Sequence, residues 1–336
     1  MRLVFLGGPA DAVPPLSALH DAGHDIALVI TGPDRRRGRG GAAEPSPVKR
    51  RAQELGLPVV TPTKTGEVLH DIAATGADLG VVVAFGQLIP PSVLDAIGGG
   101  YVNVHFSLLP RWRGAAPVER AMLAGDTETG VCLMRLEAGL DTGPVYATET
   151  ISIVDGETAG ELRARLVEVG TALLVERIDA IPGIEPVEQV GEPTYAHKLT
   201  VEEFALDWAR PARELSRTVL AGNPKPGAWT HAAGRRLKIL RAHVLGDTPG
   251  VLGDTPGPGV LGDTPGPGVL GDTPGPGPDE GTQPAGDTPA GTIVGPARVA
   301  TGSGVLVLDQ VQPETKAVME GRAWAAGFRG ARLGGD

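Results

Sequence analysis

Between Arg2 and Ile181, short continuous apolar runs alternate with segments of helical periodicity, and this alternation constrains the fold more than any other feature of the chain. The apolar runs are Arg2–Leu6, Asp25–Thr31, Leu57–Val60, Asp78–Ala84, Tyr101–Phe106 and Val131–Leu136. Helical segments lie near Asp11–Ala22, Glu67–Ala74 and Glu157–Ile181. Another runs to about Leu55, with Ser46 as its N-cap and Pro47 at the first helical position. Strands separated by helices predict an α/β domain with a mostly parallel sheet covered on both faces. The turn after the first strand, Gly7-Gly8-Pro9, is not GxGxxG, so no dinucleotide site is expected there.

Beyond Trp208 the texture changes. A helix is predicted near Ala212–Leu220. Short strand candidates follow at Ala228–His231, Leu237–Ala242, Thr292–Val294, Ala297–Thr301 and Val305–Gln310. Short strands with turn signals between them predict a small antiparallel barrel. Residues 187–207 are mixed and interrupted by proline, as in a linker. A chain of 336 residues therefore reads as two domains, 1–186 and 208–336.

The second domain carries a repeat. VLGDTPG at 244–250 is followed by VLGDTPGPG at 251–259, 260–268 and 269–277, and GDTP recurs at 286–289. Each nine-residue unit offers one Val-Leu pair to bury, too little apolar area to offset ordering the chain. With 14 Gly and 10 Pro in residues 246–291, the composition predicts a disordered insertion.

The net charge of −10 is unevenly spread. Residues 246–291 hold seven acidic residues and no Lys or Arg, so the rest of the chain carries −3. Two islands are basic: 31–51 at a net +5 and 208–243 at a net +7. Solvated faces have such runs too, but one island per domain suits a polyanion that touches both. The single cysteine, Cys132, excludes an intrachain disulfide and a CxxC zinc site, and fits a reducing compartment. The apolar run at Met1–Pro9 is too short for a signal peptide, and no run reaches about 18 apolar residues. A soluble cytoplasmic protein is expected.

Residues 101–118, YVNVHFSLLPRWRGAAPV, hold the most specific chemistry. Asn103 and His105 are two apart on a strand and share one face, at a carboxyl end where open α/β sheets bind ligands. An amide beside a protonated imidazole is a donor pair suited to an oxyanion. Taken singly, the same residues also fit a strand cap and a half-buried, satisfied histidine. Asp141, in Gly139-Leu140-Asp141-Thr142-Gly143, reads as a turn former or as the carboxylate that orients His105. HExxH, GxSxG and GxxxxGK[ST] are absent, which removes the usual zinc-hydrolase, serine-hydrolase and P-loop readings.

Asn103-x-His105-x-Ser107-Leu108-Leu109-Pro110-x-x-Arg113-Gly114, with Asp141-Thr142-Gly143 downstream, resembles the signature of the 10-formyltetrahydrofolate-dependent formyltransferases. RWRGAAPV, PDRRRGRGG…PSPVK (33–49), AFGQLIP (84–90), GDTETGV (125–131) and YAHKLTVEEFALDW (195–208) are similar to the branch that acts on initiator methionyl-tRNA. The resemblance spans roughly the first 245 residues and resumes at Ala290–Gln312. It implies a Rossmann-like formyltransferase domain joined to a smaller C-terminal OB-like β-barrel domain. It also implies 10-formyltetrahydrofolate as cosubstrate, no metal, initiator methionyl-tRNA as acceptor, and a monomer.

By that resemblance the catalytic residues are Asn103, His105 and Asp141, the folate-binding residues are Ser107, Leu108, Leu109 and Pro110, and Arg39 contacts tRNA. Two positions depart from the pattern. Phe106 stands where relatives often have Gly, Pro or Ala, and Gly41-Ala42 where many have Lys or other polar residues. Formyl transfer between amines passes through a tetrahedral oxyanion and needs donors and a proton path, which this set supplies.

Other readings are a transferase to water or to a sugar amine, and a non-catalytic RNA-binding protein. The basic islands argue against the first two, and the complete Asn103/His105/Asp141 set against the third. Closure entropy rises only about 0.6 kcal/mol per doubling of loop length, so a hairpin tolerates an insertion of this size. Replacing 247–290 by a short Gly-Ser turn is expected to leave formyl transfer within a few-fold and the melting temperature no lower. A large loss of tRNA affinity would refute this.

Overall fold

The computed structural model describes residues 1–36, 42–246, 288–328 and 330–334. Arg39, Gly41 and residues 247–287 of the repeat lie outside the described residues. The chain divides into two compact units: Met1–Glu203 with Leu220–Pro226, and Phe204–Val219 with Gly227–Asp336.

The first unit is built on a seven-stranded sheet. Its strands are β1 (Arg2–Gly7), β2 (Asp25–Ile30), β3 (Val59–Val60), β4 (Leu79–Val83), β5 (Tyr101–His105), β6 (Glu128–Arg135) and β7 (Val145–Ser152). Their order is β7-β6-β5-β4-β1-β2-β3. From β5 to β3 every pair is parallel, whereas β6 and β7 are antiparallel additions at one side. The expected mostly parallel sheet is thus present with a two-stranded antiparallel extension. Leu3–Leu6, Leu79, Val81, Val83 and Val102 are fully buried, as strands covered on both faces must be. The chain passes from β1 to β2 and β3 on one side, then returns to lay β4 on the other side of β1. That reversal makes a crevice at the carboxyl ends of β1 and β4.

Local signals set the helices. α1 is Val13–Asp21 and α2 is Pro47–Glu54. Ser46 caps α2, its hydroxyl accepting from the Lys49 N–H at 3.0 Å. α3 is Leu69–Thr75, α4 is Pro117–Ala124 and α5 is Ala159–Arg177. α5 begins with a Thr158–Glu161 capping box. Gly170 lets α5 close onto the sheet, because a Cβ there would meet Val104 and Val131 at 3.1 Å. Residues expected to form a linker are structured in part: Val187 pairs with Val145, and Tyr195–Ala196 pairs in parallel with Arg113–Gly114.

The second unit holds an antiparallel sheet in the order β8 (Ala228–Ala232), β9 (Arg235–Val244), β12 (Val305–Pro313), β11 (Arg298–Ala300), β10 (Ile293–Gly295), with β13 (Met319–Glu320) also on β12. Helix Ala212–Gly222 supplies Ala212, Leu215 and Val219 to a core with Trp208, Leu237, Ile239, Leu306 and Leu308. Trp208 donates from Nε1 to Thr230 Oγ1 at 3.0 Å, which satisfies its buried indole. Among the described residues, no helix is long and apolar enough to cross a membrane.

One contact at the centre of the first sheet is tight. Gly80 faces Tyr101 across β4 and β5, and a Cβ on Gly80 would lie 2.1 Å from the Tyr101 ring. Tyr101 is 1% exposed, and its hydroxyl has no hydrogen-bond partner among the described residues. Gly80→Ala is expected to lower stability by about 1–3 kcal/mol through overpacking. Tyr101→Phe should cost nothing, since it removes a buried, unpaired hydroxyl. Urea denaturation of both variants checks this, and an unaffected Gly80→Ala protein would contradict it.

Candidate active site

A cleft of about 740 Å³ opens in the first unit at the carboxyl ends of β1, β4 and β5. Its wall includes Pro9 after β1, Val82 and Ala84–Ile89 at and beyond the end of β4, Asn103–Phe106 on and after β5, and Leu136–Asp141 after β6. This is the topological switch point, so the position of the cleft follows from the strand order. The loop after β4 is pinned by Gln87, which donates to the Pro62 carbonyl at 3.0 Å and accepts from Thr65 Oγ1 at 3.0 Å.

Asn103 and His105 both face this cleft, as their spacing on one strand requires. They are 9% and 5% exposed. The Asn103 amide has no hydrogen-bond partner among the described residues, and its donors are free for a ligand. His105 sits between two oxygens. Its Nε2 lies 3.0 Å from the Trp112 carbonyl, and its Nδ1 lies 3.7 Å from Asp141 Oδ2. A carbonyl only accepts, so Nε2 carries a proton. A neutral ring would then turn a bare lone pair on Nδ1 toward the carboxylate. At 3.7 Å the carboxylate is a charge beside Nδ1 and not a hydrogen-bond acceptor for it.

Each of these oxygens is held in turn. Trp112 has φ +64, outside the usual range for a side-chain-bearing residue. Its N–H donates to Thr194 Oγ1 at 2.9 Å and its indole Nε1 donates to Asp126 Oδ2 at 2.7 Å. Arg111 grips Asp126 with Nε at 2.8 Å and Nη2 at 2.6 Å, and its guanidinium stacks 4.4 Å from the Trp112 ring. The hydrogen bond to Asp126 raises the Arg111 pKa above its ordinary value. Asp141 accepts the Gly114 N–H at 2.7 Å.

Ser107, Leu108, Leu109 and Pro110 do not line the cleft. Ser107 is fully buried and donates to the Arg111 carbonyl at 2.7 Å. Leu108 packs over Gly130 on β6, where a Cβ would come within 2.5 Å of its Cδ2. The segment thus shapes the turn that carries Trp112. Phe106 does line the cleft, at 5% exposure.

Sequence reasoning missed Leu136–Leu140, Arg163 and Gln189 as contributors and quoted Gly114 in the motif without giving it a role. Arg163 also lines the cleft, beside Asp11 at 3.5 Å and Glu119. The alternating pattern of α5 marks Arg163 only as a solvent-side charge, and Gln189 has no local signal at all.

Cys132 is paired with His105 across β5 and β6 but takes no part in the cleft wall. Burial raises its thiol pKa, with the hydrogen bond to Thr148 opposing more weakly. The neutral thiol therefore persists to higher pH than in a free cysteine, and the reactive thiolate is scarce. Native protein at pH 8 is expected to resist iodoacetamide, and protein in guanidinium to label. Rapid labelling of the native form would contradict this.

Comparison with known proteins gives a consistent picture. The formyl transferase family model matches residues 1–178, and the model for the formyl transferase C-terminal domain matches residues 198–270. A methionyl-tRNA formyltransferase of Dinoroseobacter shibae is 50% identical over 250 residues, covering 73% of this chain and 83% of that protein. One from Jannaschia sp. is 39% identical over 332 residues, covering 98% of this chain and 97% of that protein. Solved structures with a similar fold include a variant of HypX from Aquifex aeolicus, with a TM-score of 0.61 at 14% identity over 97% of this chain and 47% of that one. Another is WlaRD, a sugar 3N-formyl transferase, with a TM-score of 0.56 at 18% identity over 74% of this chain and 87% of that one.

Proposed function

This chain belongs to the methionyl-tRNA formyltransferase family, and on that premise we propose that Asn103, His105 and Asp141 are its catalytic residues. The enzyme transfers the formyl group of 10-formyltetrahydrofolate to the amino group of methionine on initiator methionyl-tRNA, for translation initiation. Transfer to water or to a sugar amine, and a non-catalytic RNA-binding role, are not favoured.

The observation that carries the catalytic reading is the environment of His105. Nε2 is committed to the Trp112 carbonyl, so Nδ1 is the ring nitrogen that remains available. The 3.7 Å gap to Asp141 leaves its N–H without a short acceptor. Nδ1–H and the Asn103 amide donate to the formyl oxygen as it gains negative charge. Asp141, beside the ring, takes part in moving the proton released by the attacking amine.

The cleft fits the folate. Its size and its largely apolar wall, with Asn103 and His105 as polar groups on one strand, suit a flat heteroaromatic ring with a few directed hydrogen bonds. When bound, 10-formyltetrahydrofolate supplies the formyl carbon. Ser107, Leu108, Leu109 and Pro110 serve the folate site through the turn they build behind His105. The first unit, Met1–Glu203 with Leu220–Pro226, is the catalytic domain, and the second unit an OB-like domain that grips tRNA phosphates, with Arg39 contacting the tRNA from the first basic island. The enzyme is a cytoplasmic monomer.

Asn103→Ala and His105→Ala are each expected to lower kcat by about 100- to 1,000-fold in the folded protein, the usual cost of losing one oxyanion donor, and Asp141→Ala to lower it severely by removing the group that helps move the proton. The assay is formation of N-formylmethionyl-tRNA from 10-formyltetrahydrofolate and charged initiator tRNA. Near-normal turnover in two of the three variants would defeat the assignment.

A further inference from the structure

Asp141 sits in a backbone conformation that Asp tolerates better than most residues but that still needs support from its surroundings. Its φ is +50, in the left-handed region that residues with a Cβ seldom occupy unless their surroundings hold them there. Apolar packing does not hold it, since Glu137, Ala138, Gly139 and Leu140 beside it are exposed. Polar contacts do.

Gln189 makes two hydrogen bonds to this loop. Its Nε2 donates to the Asp141 carbonyl at 2.8 Å and to the Gly143 carbonyl at 2.7 Å, bridging the two sides of Thr142. Its Oε1 accepts from Arg113 Nε at 3.0 Å and from Arg113 Nη2 at 2.7 Å. Two donors and two acceptor sites are all that a carboxamide offers, so the side chain is fully used. Arg113 adjoins Gly114, whose N–H holds the Asp141 carboxylate. Asp141 is therefore fixed at its carbonyl by Gln189 and at its carboxylate by Gly114, and Arg113 ties these two holders together.

The backbone delivers Gln189 to this place. Val145 and Val187 exchange hydrogen bonds at 2.8 and 2.9 Å, which lays the chain alongside the end of the Asp141 loop two residues before Gln189. Farther on, Arg113 N–H donates to the Thr194 carbonyl at 2.9 Å, and Ala115 N–H to the Ala196 carbonyl at 2.8 Å. Residues 187–196 thus join the two loops that carry the oxygens on either side of His105.

We propose that Gln189 is a positioning residue for formyl transfer: it holds the Asp141 loop so that the carboxylate faces His105 Nδ1. The role rests on the reading of Asp141 as catalytic. Loss of Gln189 removes two hydrogen bonds that hold the loop, and a displacement of about 1 Å in a reacting group costs about 100-fold in rate.

The test is steady-state kinetics of Gln189→Ala and Gln189→Glu, each alone and combined with Asp141→Asn, with melting temperatures measured alongside. Gln189→Ala is expected to lower kcat by about 100-fold while leaving the KM for 10-formyltetrahydrofolate nearly unchanged. Gln189→Glu keeps the acceptor for Arg113 but turns a carboxylate toward two carbonyls. It should lose turnover as Gln189→Ala does while melting near the unaltered protein, so a poorly folding alanine variant does not decide the matter. In the Asp141→Asn background, either substitution should cost no more than about two-fold further, because coupled residues are not additive.

Normal kcat in both Gln189 variants, with only a lower melting temperature, would overturn the proposal. An undiminished loss in the Asp141→Asn background would overturn it too. If Asp141→Asn itself turns over normally, the reading of Asp141 fails and the positioning role falls with it. If Asp141→Asn is crippled and Gln189→Glu is not, the positioning role alone falls.

Discussion

The imidazole of His105 is bracketed by the Trp112 carbonyl at 3.0 Å and the Asp141 carboxylate at 3.7 Å, and neither oxygen belongs to a regular element of the sheet. Both residues have positive φ, at +64 and +50. Such backbone persists only where neighbouring groups over-determine it, and here they do. Trp112 is held through its N–H, its indole and the face of its ring. Asp141 is held through its carbonyl and its carboxylate. The two bracketing loops are the irregular parts of an otherwise regular α/β unit, and their irregularity delivers two oxygens to one ring.

The sheet supplies the other requirement, a fixed place for the ring itself. β5 has parallel β4 on one side and antiparallel β6 on the other, with His105 opposite Cys132. Asn103 and His105 therefore project from a strand that is bonded along both edges and covered by α5 through Gly170. A donor pair on such a strand reorganises little when charge develops on a substrate oxygen, which is how preorganised donors lower a barrier. The rigid component sits on the strand and the strained component in the loops.

Much of this architecture was legible in the sequence. The apolar runs gave β1, β2, β4 and β5 with small changes at their ends, and Ser46-Pro47 marked the start of α2 where the hydroxyl does cap it. Burial on both faces leaves a plain apolar run, and a cap leaves a polar residue at a fixed offset, so both signals are local. β7 left no such run. It is an edge strand whose residues are half-buried or exposed. The antiparallel direction of β6 was equally silent, because Val131–Met134 is fully buried and looks the same in either sense.

For the site, a spacing of two on one strand dictates that Asn103 and His105 share a face, and both line the cleft, where Asp141 from the loop after β6 joins them. The sequence by itself determined the alternating α/β fold and the change of texture into the second unit, because both are written in periodicity, while Asn103, His105 and Asp141 were singled out by resemblance to a known family. Only the tertiary structure decided that Ser107–Pro110 builds a turn outside the cleft wall. It alone brought Gln189 to Asp141 and aimed the Trp112 carbonyl at the ring. Gln189 lies 48 residues from Asp141 along the chain, and a hydrogen bond over that distance depends on where the folded backbone places both ends.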